Sequence, residues 1–313
     1  MPTPRRQGSI AGRGWDVLGI GAVAVDDLLY VDAYPGPDSK VRIRSERREG
    51  GGLVATALVT VARLGGSSAF LAVLGHDELS VFAIGELERG GVDGSRIIRR
   101  AGARPVHSRI IVDRQTGQRT ILYSMTGVIA PSTEEIVQTD VETCRVLLVD
   151  STVVPTACHA ARLARRSGIP VVADLEHPDE PGVDELMNLV DHLVVGSRFA
   201  VGVTGERAAA AVHRLWRPGM AACVVTAGEE GCWFRAAETD GRVLHAPALP
   251  VQAVDTNGCG DVFHGAYAAR IAMGDGVAAA VTAATRMAAA KAARGGGWDA
   301  IPMWSDLAGQ EVA

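Results

Sequence analysis

Short apolar runs alternate with helical stretches through the second half of the chain. The runs occupy residues 146–149, 171–173, 193–195 and 223–226, and the helical stretches occupy 155–167, 182–189 and 206–217. This alternation predicts right-handed βαβ units, because a strand and its following helix return to the same sheet in that hand. With two further helices predicted at about 261–273 and 277–293, the pattern indicates an α/β fold with a doubly wound, mostly parallel sheet and helices on both faces.

The first half of the chain predicts strands of two kinds. Residues 15–21 and 69–74 are apolar enough to be buried strands. Residues 28–47 and 106–123 have strand patterns that look too exposed for the central sheet, and we expect them to form a small β-sheet lid over one end of it. No linker of distinct composition interrupts the chain. Residues 14–313 are therefore predicted to be one domain, and the polar residues 1–13 a disordered tail.

Composition excludes several classes of protein. The 313 residues carry a formal net charge of −5, which argues against a nucleic-acid-binding protein because such proteins normally have a basic surface. No apolar run approaches the length of a membrane span. The five cysteines form no C-x-x-C pair, so free buried thiols in a reducing compartment are predicted, and a cytoplasmic location with them.

The stretch 254–266 carries the clearest chemical signal. Gly258, Cys259 and Gly260 are small residues at the start of a helix predicted to begin near Asp261. Backbone N–H groups at a helix start have no intrahelical partner and attract phosphate. The negative charge of a carboxylate in the same turn would repel a phosphate. Its presence is explained if the carboxylate takes a proton from a hydroxyl group that attacks the phosphoryl group. The turn therefore predicts phosphoryl transfer with Asp261 as base, and the alternative is a plain turn in which Asp261 caps the helix.

This stretch resembles the D-T-x-G-x-G-D-x-F-x-G signature of the PfkB/ribokinase family of carbohydrate kinases. The resemblance runs from about residue 15 to 302, and within the family the chain is most similar to ketohexokinase and sulfofructose kinase. It implies a ribokinase-like fold, ATP as co-substrate and Mg²⁺ as its companion ion. It also assigns Asp261 as the base and the amides of Gly258, Cys259 and Gly260 to the transferred phosphoryl group.

The resemblance further implies a set of sugar-binding residues. Asp26, nine residues before Pro35, matches an aspartate that grips vicinal hydroxyls, with Asp27 as the neighbouring alternative. The Gly51–Gly52 turn brings backbone close to the sugar. Where relatives carry Asn or Lys and a later Asn, this chain has Leu53 and Thr56, which alters the sugar contacts. The remaining candidates for substrate binding are Thr56, Lys40 and Tyr123.

Nucleotide and ion sites follow from the same resemblance. The candidates for nucleotide binding are Thr226, Gly228, Gly231, Ser197 and Thr285. Residues 196–199 lack the family's N-x-x-E motif, so no direct protein ligand for Mg²⁺ is predicted, and Glu176 is a candidate that acts through water. Asp255, with Ala292 and Gly297, could supply oxygens to K⁺.

The predicted function is ATP-dependent phosphorylation of a hydroxymethyl group on a small sugar, first of all a fructose-like ketose. Sulfofructose or another sugar derivative is an alternative substrate, and a catalytically silent sugar or nucleotide sensor is an alternative function. A dinucleotide-dependent oxidoreductase would need the sequence G-x-G-x-x-G in its first βα turn. This chain has Gly19-Ile20-Gly21 but Ala24 at the position of the third glycine, so that function is excluded. His264 is interpreted as a core histidine. Exposed lid strands favour a homodimer through the lid.

Overall fold

The computed structural model describes residues 14–307. The strands are β1 (Trp15–Ile20), β2 (Ala24–Val31), β3 (Ser45–Gly51), β4 (Ser68–Leu71), β5 (Val73–Leu74), β6 (Ile98–Arg99), β7 (Val106–Asp113), β8 (Arg119–Ser124), β9 (Cys144–Asp150), β10 (Val171–Leu175), β11 (His192–Gly196), β12 (Ala222–Thr226), β13 (Cys232–Ala236) and β14 (Leu244–Ala246). The helices are α1 (Leu53–Arg63), α2 (Glu78–Arg89), α3 (Gln138–Glu142), α4 (Val154–Arg166), α5 (Val183–Leu189), α6 (Ser197–Thr204), α7 (Ala208–Leu215), α8 (Cys259–Ala272), α9 (Val277–Ala292) and α10 (Trp304–Leu307).

The main sheet has eight strands in the order β14-β13-β12-β11-β10-β9-β1-β4. Neighbours in the series β12-β11-β10-β9-β1-β4 pair in parallel. Strands β13 and β14 extend the sheet beyond β12 in the antiparallel sense. Parallel strands place their carboxyl ends at one edge of the sheet, where open α/β sheets bind ligands. The predicted mostly parallel sheet is confirmed.

Two apolar layers cover the main sheet, one on each face. Residues of β9 alternate between the layers: Leu148 packs with α1, α8 and α9, whereas Leu147 and Val149 pack with α4 and α5. Each strand is therefore buried on both faces, which accounts for its uninterrupted apolar sequence. Burial of each such leucine or valine contributes about 1.5–3 kcal/mol relative to an exposed position.

A second sheet of four strands, in the order β3-β2-β7-β8, lies apart from the main sheet. Its strands correspond to the segments predicted for the lid, with shifted bounds. Residues 41–44 were expected to be strand but precede β3, which begins at Ser45 and continues to Gly51. The triple glycine therefore belongs mostly to a strand, and only Gly52 makes the turn into α1.

Several elements differ from the sequence prediction. Helix α8 begins at Cys259, two residues before the expected start, because Gly258 adopts the left-handed conformation (φ 72°) that ends the preceding turn. The pair β13–β14 and helix α6 were not predicted. The predicted tail, residues 1–13, lies outside the described residues. Within residues 14–307, no helix has the length and apolar character required to span a membrane. The cysteines are free, as predicted, and four of them are buried.

Candidate active site

A cleft of about 70 Å³ lies between the start of α8, the inner end of the small sheet and the segment after α9. Its lining brings together residues far apart in the sequence, and carboxylate and glycine residues dominate it: Asp26, Glu49, Gly50, Gly51, Gly52, Thr56, Asn257, Gly258, Asp261, Lys291, Gly297, Trp298 and Ile301. Six of the predicted site residues meet here: Asp26, Gly51, Gly52, Thr56, Gly258 and Asp261.

The turn before α8 lines the cleft at Asn257 and Gly258, and it leads into a helix start whose first amides lack helical partners. The first intrahelical bond runs from Val262 N–H to the Gly258 carbonyl at 2.9 Å, so the amides of Cys259, Gly260 and Asp261 belong to the unpaired first turn. Cys259 N–H makes a long bond of 3.3 Å to Thr256 O, which an incoming anion can replace. A Cβ on Gly260 would meet no atom within 4 Å, so the approach to this turn is open.

Asp261 is partly exposed to the cleft, in the first turn of α8. Burial, and then the charges of Asp174 and Glu176, raise the pKa of Asp261 well above its usual range. A carboxyl group with a raised pKa is a stronger base once it is ionised. Its position beside the amides of the turn matches the geometry expected of a group that takes a proton from an attacking alcohol.

Asp26 lies in β2, in register with Glu49 of β3 and Ser108 of β7. It is the third residue of β2, because the chain bends after β1 and resumes as β2. Burial raises the pKa of Asp26, against the hydrogen bond from Ser108. Its carboxylate lines the cleft.

The neighbouring aspartate, Asp27, points to the opposite face, because successive side chains of a strand alternate. Arg48 Nε donates to Asp27 Oδ1 at 2.7 Å, and His107 Nε2 lies 2.7 Å from Asp27 Oδ2. These partners occupy both carboxylate oxygens. Of the two candidates, only Asp26 is placed to bind a ligand in the cleft.

Two glycines allow the backbone to pass close beside Asp26. A Cβ on Gly51 would lie 2.5 Å from Asp26 Oδ2. Gly52 has a φ of 105°, and a Cβ there would lie 2.6 Å from the carbonyl oxygen of Ala22. Neither position accepts a side chain without displacement of its neighbour. The glycines therefore fix the strand-to-helix turn against the cleft.

Two predicted sugar-binding residues are not brought to the cleft. Lys40 lies on the exposed loop 34–40, which forms a shallow surface depression of its own. Tyr123 is exposed on the edge strand β8. Neither residue is part of the cleft lining.

The predicted nucleotide residues gather at the neighbouring part of the sheet edge. Gly196 and Thr226 are paired in register, so Ser197 and Thr226 follow the carboxyl ends of adjacent strands. Gly228 and Gly231 flank a short 3₁₀ turn, both with positive φ. Thr285 lies on α9, where its hydroxyl donates to the carbonyl of Val281 at 2.9 Å. Ser197, Thr226, Gly228 and Gly231 thus lie at or just after the carboxyl ends of β11 and β12.

Buried carboxylates beside the cleft fit a hydrated divalent cation. Asp150 and Asp174 are paired at the carboxyl ends of β9 and β10. The Oδ2 atom of Asp150 has no hydrogen-bond partner among residues 14–307, and that of Asp174 lies 3.1 Å from His264 Nδ1. Burial, opposed by Thr152 and reinforced by Glu176, raises the pKa of Asp150 to about 7. In the described chain, no three His, Cys, Asp or Glu side chains are grouped to hold a metal. The carboxylates of Asp150 and Asp174 suit Mg²⁺, because this ion keeps several of its water ligands and binds through few carboxylates and through substrate phosphates.

The surroundings of His264 and Cys259 agree with a structural role for both side chains. His264 is buried, and its Nδ1 and Nε2 lie 2.8 Å from the carbonyl oxygens of Gly260 and Val194. It thus ties α8 to β11. Burial raises the pKa of the Cys259 thiol to about 11, so the thiol is not an activated nucleophile.

The sequence prediction missed several residues of the cleft, among them Glu49, Lys291 and Trp298. Glu49 accepts a hydrogen bond from the Gly297 amide, and burial raises its pKa against the charge of Arg47. Trp298 donates from Nε1 to Thr56 Oγ1. The scarcity of lysine was the one available signal for Lys291. No spacing pattern marks Glu49 or Trp298.

Known proteins resemble this chain over nearly its full length. A ribokinase of Staphylococcus aureus is 26% identical over 270 residues, which cover 82% of this chain and 86% of the ribokinase. A ketohexokinase of Mus musculus is 25% identical over 286 residues, covering 88% of this chain and 95% of that protein. The solved structure of an Arabidopsis thaliana ribokinase complexed with ribose and ATP superposes with a TM-score of 0.77 at 18% identity, over 92% of this chain and 96% of that one.

The pattern of the pfkB family carbohydrate kinases matches residues 16–303, a range that includes both sheets and every residue of the cleft. The match agrees with the fold and with the turn that carries Asp261. The chain therefore belongs to the PfkB family of carbohydrate kinases, enzymes that transfer a phosphoryl group to an alcohol of a sugar.

Proposed function

We propose that this sugar kinase transfers the γ-phosphoryl group of ATP to a hydroxymethyl group of a small, fructose-like ketose. The observation that carries the proposal is the position of Asp261, in the unpaired first turn of α8 and in the same cleft as Asp26. One carboxylate is placed to bind sugar hydroxyls, and the other lies beside the amides that attract phosphate. The complex of the Arabidopsis relative with ribose and ATP supports the choice of ligands.

In this mechanism the sugar lies between Asp26 and the start of α8. Asp26 accepts hydrogen bonds from its hydroxyls, and the Gly51–Gly52 backbone borders it. Asp261 accepts the proton of the reacting hydroxyl as its oxygen attacks the γ-phosphorus in line. The amides of Gly258, Cys259 and Gly260 donate to the oxygens of the transferred group, where they stabilise the charge of the transition state.

The nucleotide occupies the neighbouring sheet edge in this proposal. Thr226, Gly228, Gly231 and Ser197 bind its phosphates, and Thr285 lies toward its base. Asp150, Asp174 and Glu176 are the residues that would hold Mg²⁺ through its water ligands, and the ion would supply positive charge to the phosphates. The unpaired Oδ2 atom of Asp150 supports this assignment.

The charge of the cleft favours a neutral sugar over a sulfonated one. Three carboxylates, Asp26, Glu49 and Asp261, line it, against a single ammonium group. Like charges in a partly buried site repel strongly, since screening by water is reduced there. An anionic sugar such as sulfofructose would meet this repulsion.

A coupled ADP-release assay over ketoses, aldoses, sulfosugars, polyols and nucleosides tests the proposal, with ATP and Mg²⁺ present. We expect turnover with a neutral ketose, lost in Asp261→Asn. Turnover confined to sulfosugars would contradict the substrate class. No turnover with any acceptor would contradict the kinase function and favour a sensor.

We propose further that residues 14–313 act as one kinase domain whose small sheet closes over the sugar, and that a second copy covers the exposed face of that sheet. Edge strand β8 carries three exposed apolar side chains, Leu122 on one face and Ile121 and Tyr123 on the other, and such an exposed edge supports a dimer. The molar mass in solution of the wild type and of Leu122→Asp tests it, since only the wild type should be dimeric.

The buried free thiols support a reducing, cytoplasmic location.

A further inference from the structure

Lys291 is a buried cation at the edge of the cleft. It lies in the last turn of α9 with 2% of its surface exposed, and the sequence contains one other lysine, Lys40. Its Nζ atom has no hydrogen-bond partner among residues 14–307. A buried ammonium group without hydrogen bonds is costly, and an apolar side chain of similar length would pack there at lower cost.

The charge partner of Lys291 is Asp255, whose Oδ2 lies 3.5 Å from Nζ. The other carboxylate oxygen of Asp255 accepts a hydrogen bond of 2.9 Å from the amide of Asn257. Asn257 and Gly258 then lead directly into the first turn of α8. A chain of contacts therefore connects the ammonium group to the turn that leads into α8.

The space beside Asp255 is poorly suited to a soluble cation. The resemblance implied that Asp255, Ala292 and Gly297 supply oxygens to K⁺. The Ala292 carbonyl, however, already accepts hydrogen bonds from Val254 N at 2.7 Å and from Asp255 N at 3.1 Å. Two donors use both lone pairs of a carbonyl oxygen. The positive charge beside Asp255 comes instead from Lys291.

We propose that the Lys291 ammonium group is a built-in monovalent cation. It neutralises Asp255, and through Asp255 it holds residues 255–261 in the form that binds the transferred phosphoryl group. It is also the one positively charged side chain in the cleft lining. Lys291 is a positioning residue, and the inference rests on the proposed kinase function. It follows that this chain needs no soluble monovalent cation for phosphoryl transfer.

The test compares turnover in KCl, NH₄Cl and choline chloride at equal ionic strength. We expect the wild type to be equally active in all three. Lys291→Ala, which leaves a space beside Asp255, should lose about 10- to 100-fold in choline and recover in K⁺ or NH₄⁺. Lys291→Met removes the charge but fills the space, so no ion should rescue it. Arg294→Met, a matched loss of charge at an exposed ion pair outside the cleft, should behave as wild type.

A second measurement does not depend on turnover. K⁺ should raise the Tm of Lys291→Ala by at least about 2 °C over choline, and should leave wild type and Lys291→Met unchanged. Strong activation or stabilisation of the wild type by K⁺ would overturn the inference, as would an alanine variant that no cation rescues or stabilises. If no sugar is phosphorylated, the kinase proposal fails, and the Tm comparison still decides the role of Lys291.

Discussion

The indole Nε1 of Trp298 donates a hydrogen bond of 2.9 Å to Oγ1 of Thr56, across 242 residues of sequence. Both side chains are buried and line the cleft. Because the Thr56 oxygen accepts from the indole, its own proton is free to point toward a sugar hydroxyl. Trp298 therefore orients Thr56 as a donor. A Cβ on Gly50 would lie 2.5 Å from the Trp298 ring, so the glycine makes room for this arrangement.

Replacement of Trp298 by Phe should raise the KM for the sugar about 3- to 10-fold, with little change in the KM for ATP, because one neutral hydrogen bond that orients Thr56 is lost. Steady-state kinetics against each substrate measure this. Thr56→Val should have a similar effect. In the double variant the two losses should not add, since both remove the same interaction. Full additivity would show that Trp298 acts independently of Thr56.

A methyl group on Gly51 should weaken sugar binding through Asp26. Its Cβ would lie 2.5 Å from Asp26 Oδ2, so the carboxylate must move. Loss of hydrogen bonds to a charged group predicts a rise of about 10- to 100-fold in the KM for the sugar. The KM for ATP should stay constant. Gly85→Ala, at a helical position where a Cβ meets no atom within 4 Å, is the matched control, and an unchanged sugar KM in Gly51→Ala would argue against Asp26 as the sugar ligand.

Asp261→Asn should lower kcat by about 10²–10⁴ while ATP still binds, because the amide side chain keeps the shape of the turn but accepts no proton. Rapid-mix kinetics and calorimetric ATP titration measure the two properties. Near-normal turnover would remove Asp261 from the role of base.

The pH dependence of kcat/KM follows from the same group. Burial and the charges of Asp174 and Glu176 raise the pKa of Asp261, and only the ionised form is a base. Activity should therefore fall as the pH drops through this raised pKa, at a higher pH than an ordinary aspartate would cause. In Asp261→Asn the residual rate should lose this acid limb. Retention of the limb in the variant would assign it to another group.

The parts of the site found from the sequence are those encoded by consecutive residues. The turn 255–261 is a continuous string, and the lid strands have their own alternating pattern, so both were predicted. Trp298 and Lys291 reach the cleft only because α9 packs beside α8 and returns the chain past the small sheet. Such contacts depend on tertiary packing, which local spacing does not encode. The two-residue error at the start of α8 arose because Gly258 was not recognised as a left-handed residue.

Asp150 should make the stability of the protein depend on pH. Burial raises its pKa to about 7 from an ordinary value of 3.8, so the folded state keeps a proton that the unfolded state has lost across this interval. Protonated Asp150 therefore contributes on the order of a few kcal/mol to the free energy of unfolding below about pH 4. This contribution is lost as the pH rises to about 7. Asp150→Asn keeps an oxygen to accept the Thr152 amide, whose bond to Asp150 is 2.8 Å, and has no charge to bury.

Denaturant unfolding between pH 4 and 8 measures this effect. We expect the free energy of unfolding of Asp150→Asn to fall less steeply with pH than that of wild type, and the variant to be the more stable form at pH 8. Asp174 should preserve part of the slope, since burial and the charge of Glu176 raise its pKa as well. Asp179→Asn, the same chemical change on an exposed loop, is the control. Parallel curves for Asp150→Asn and wild type would mean that Asp150 stays ionised in the folded protein, held by a positive charge that enters the space beside its unpaired oxygen.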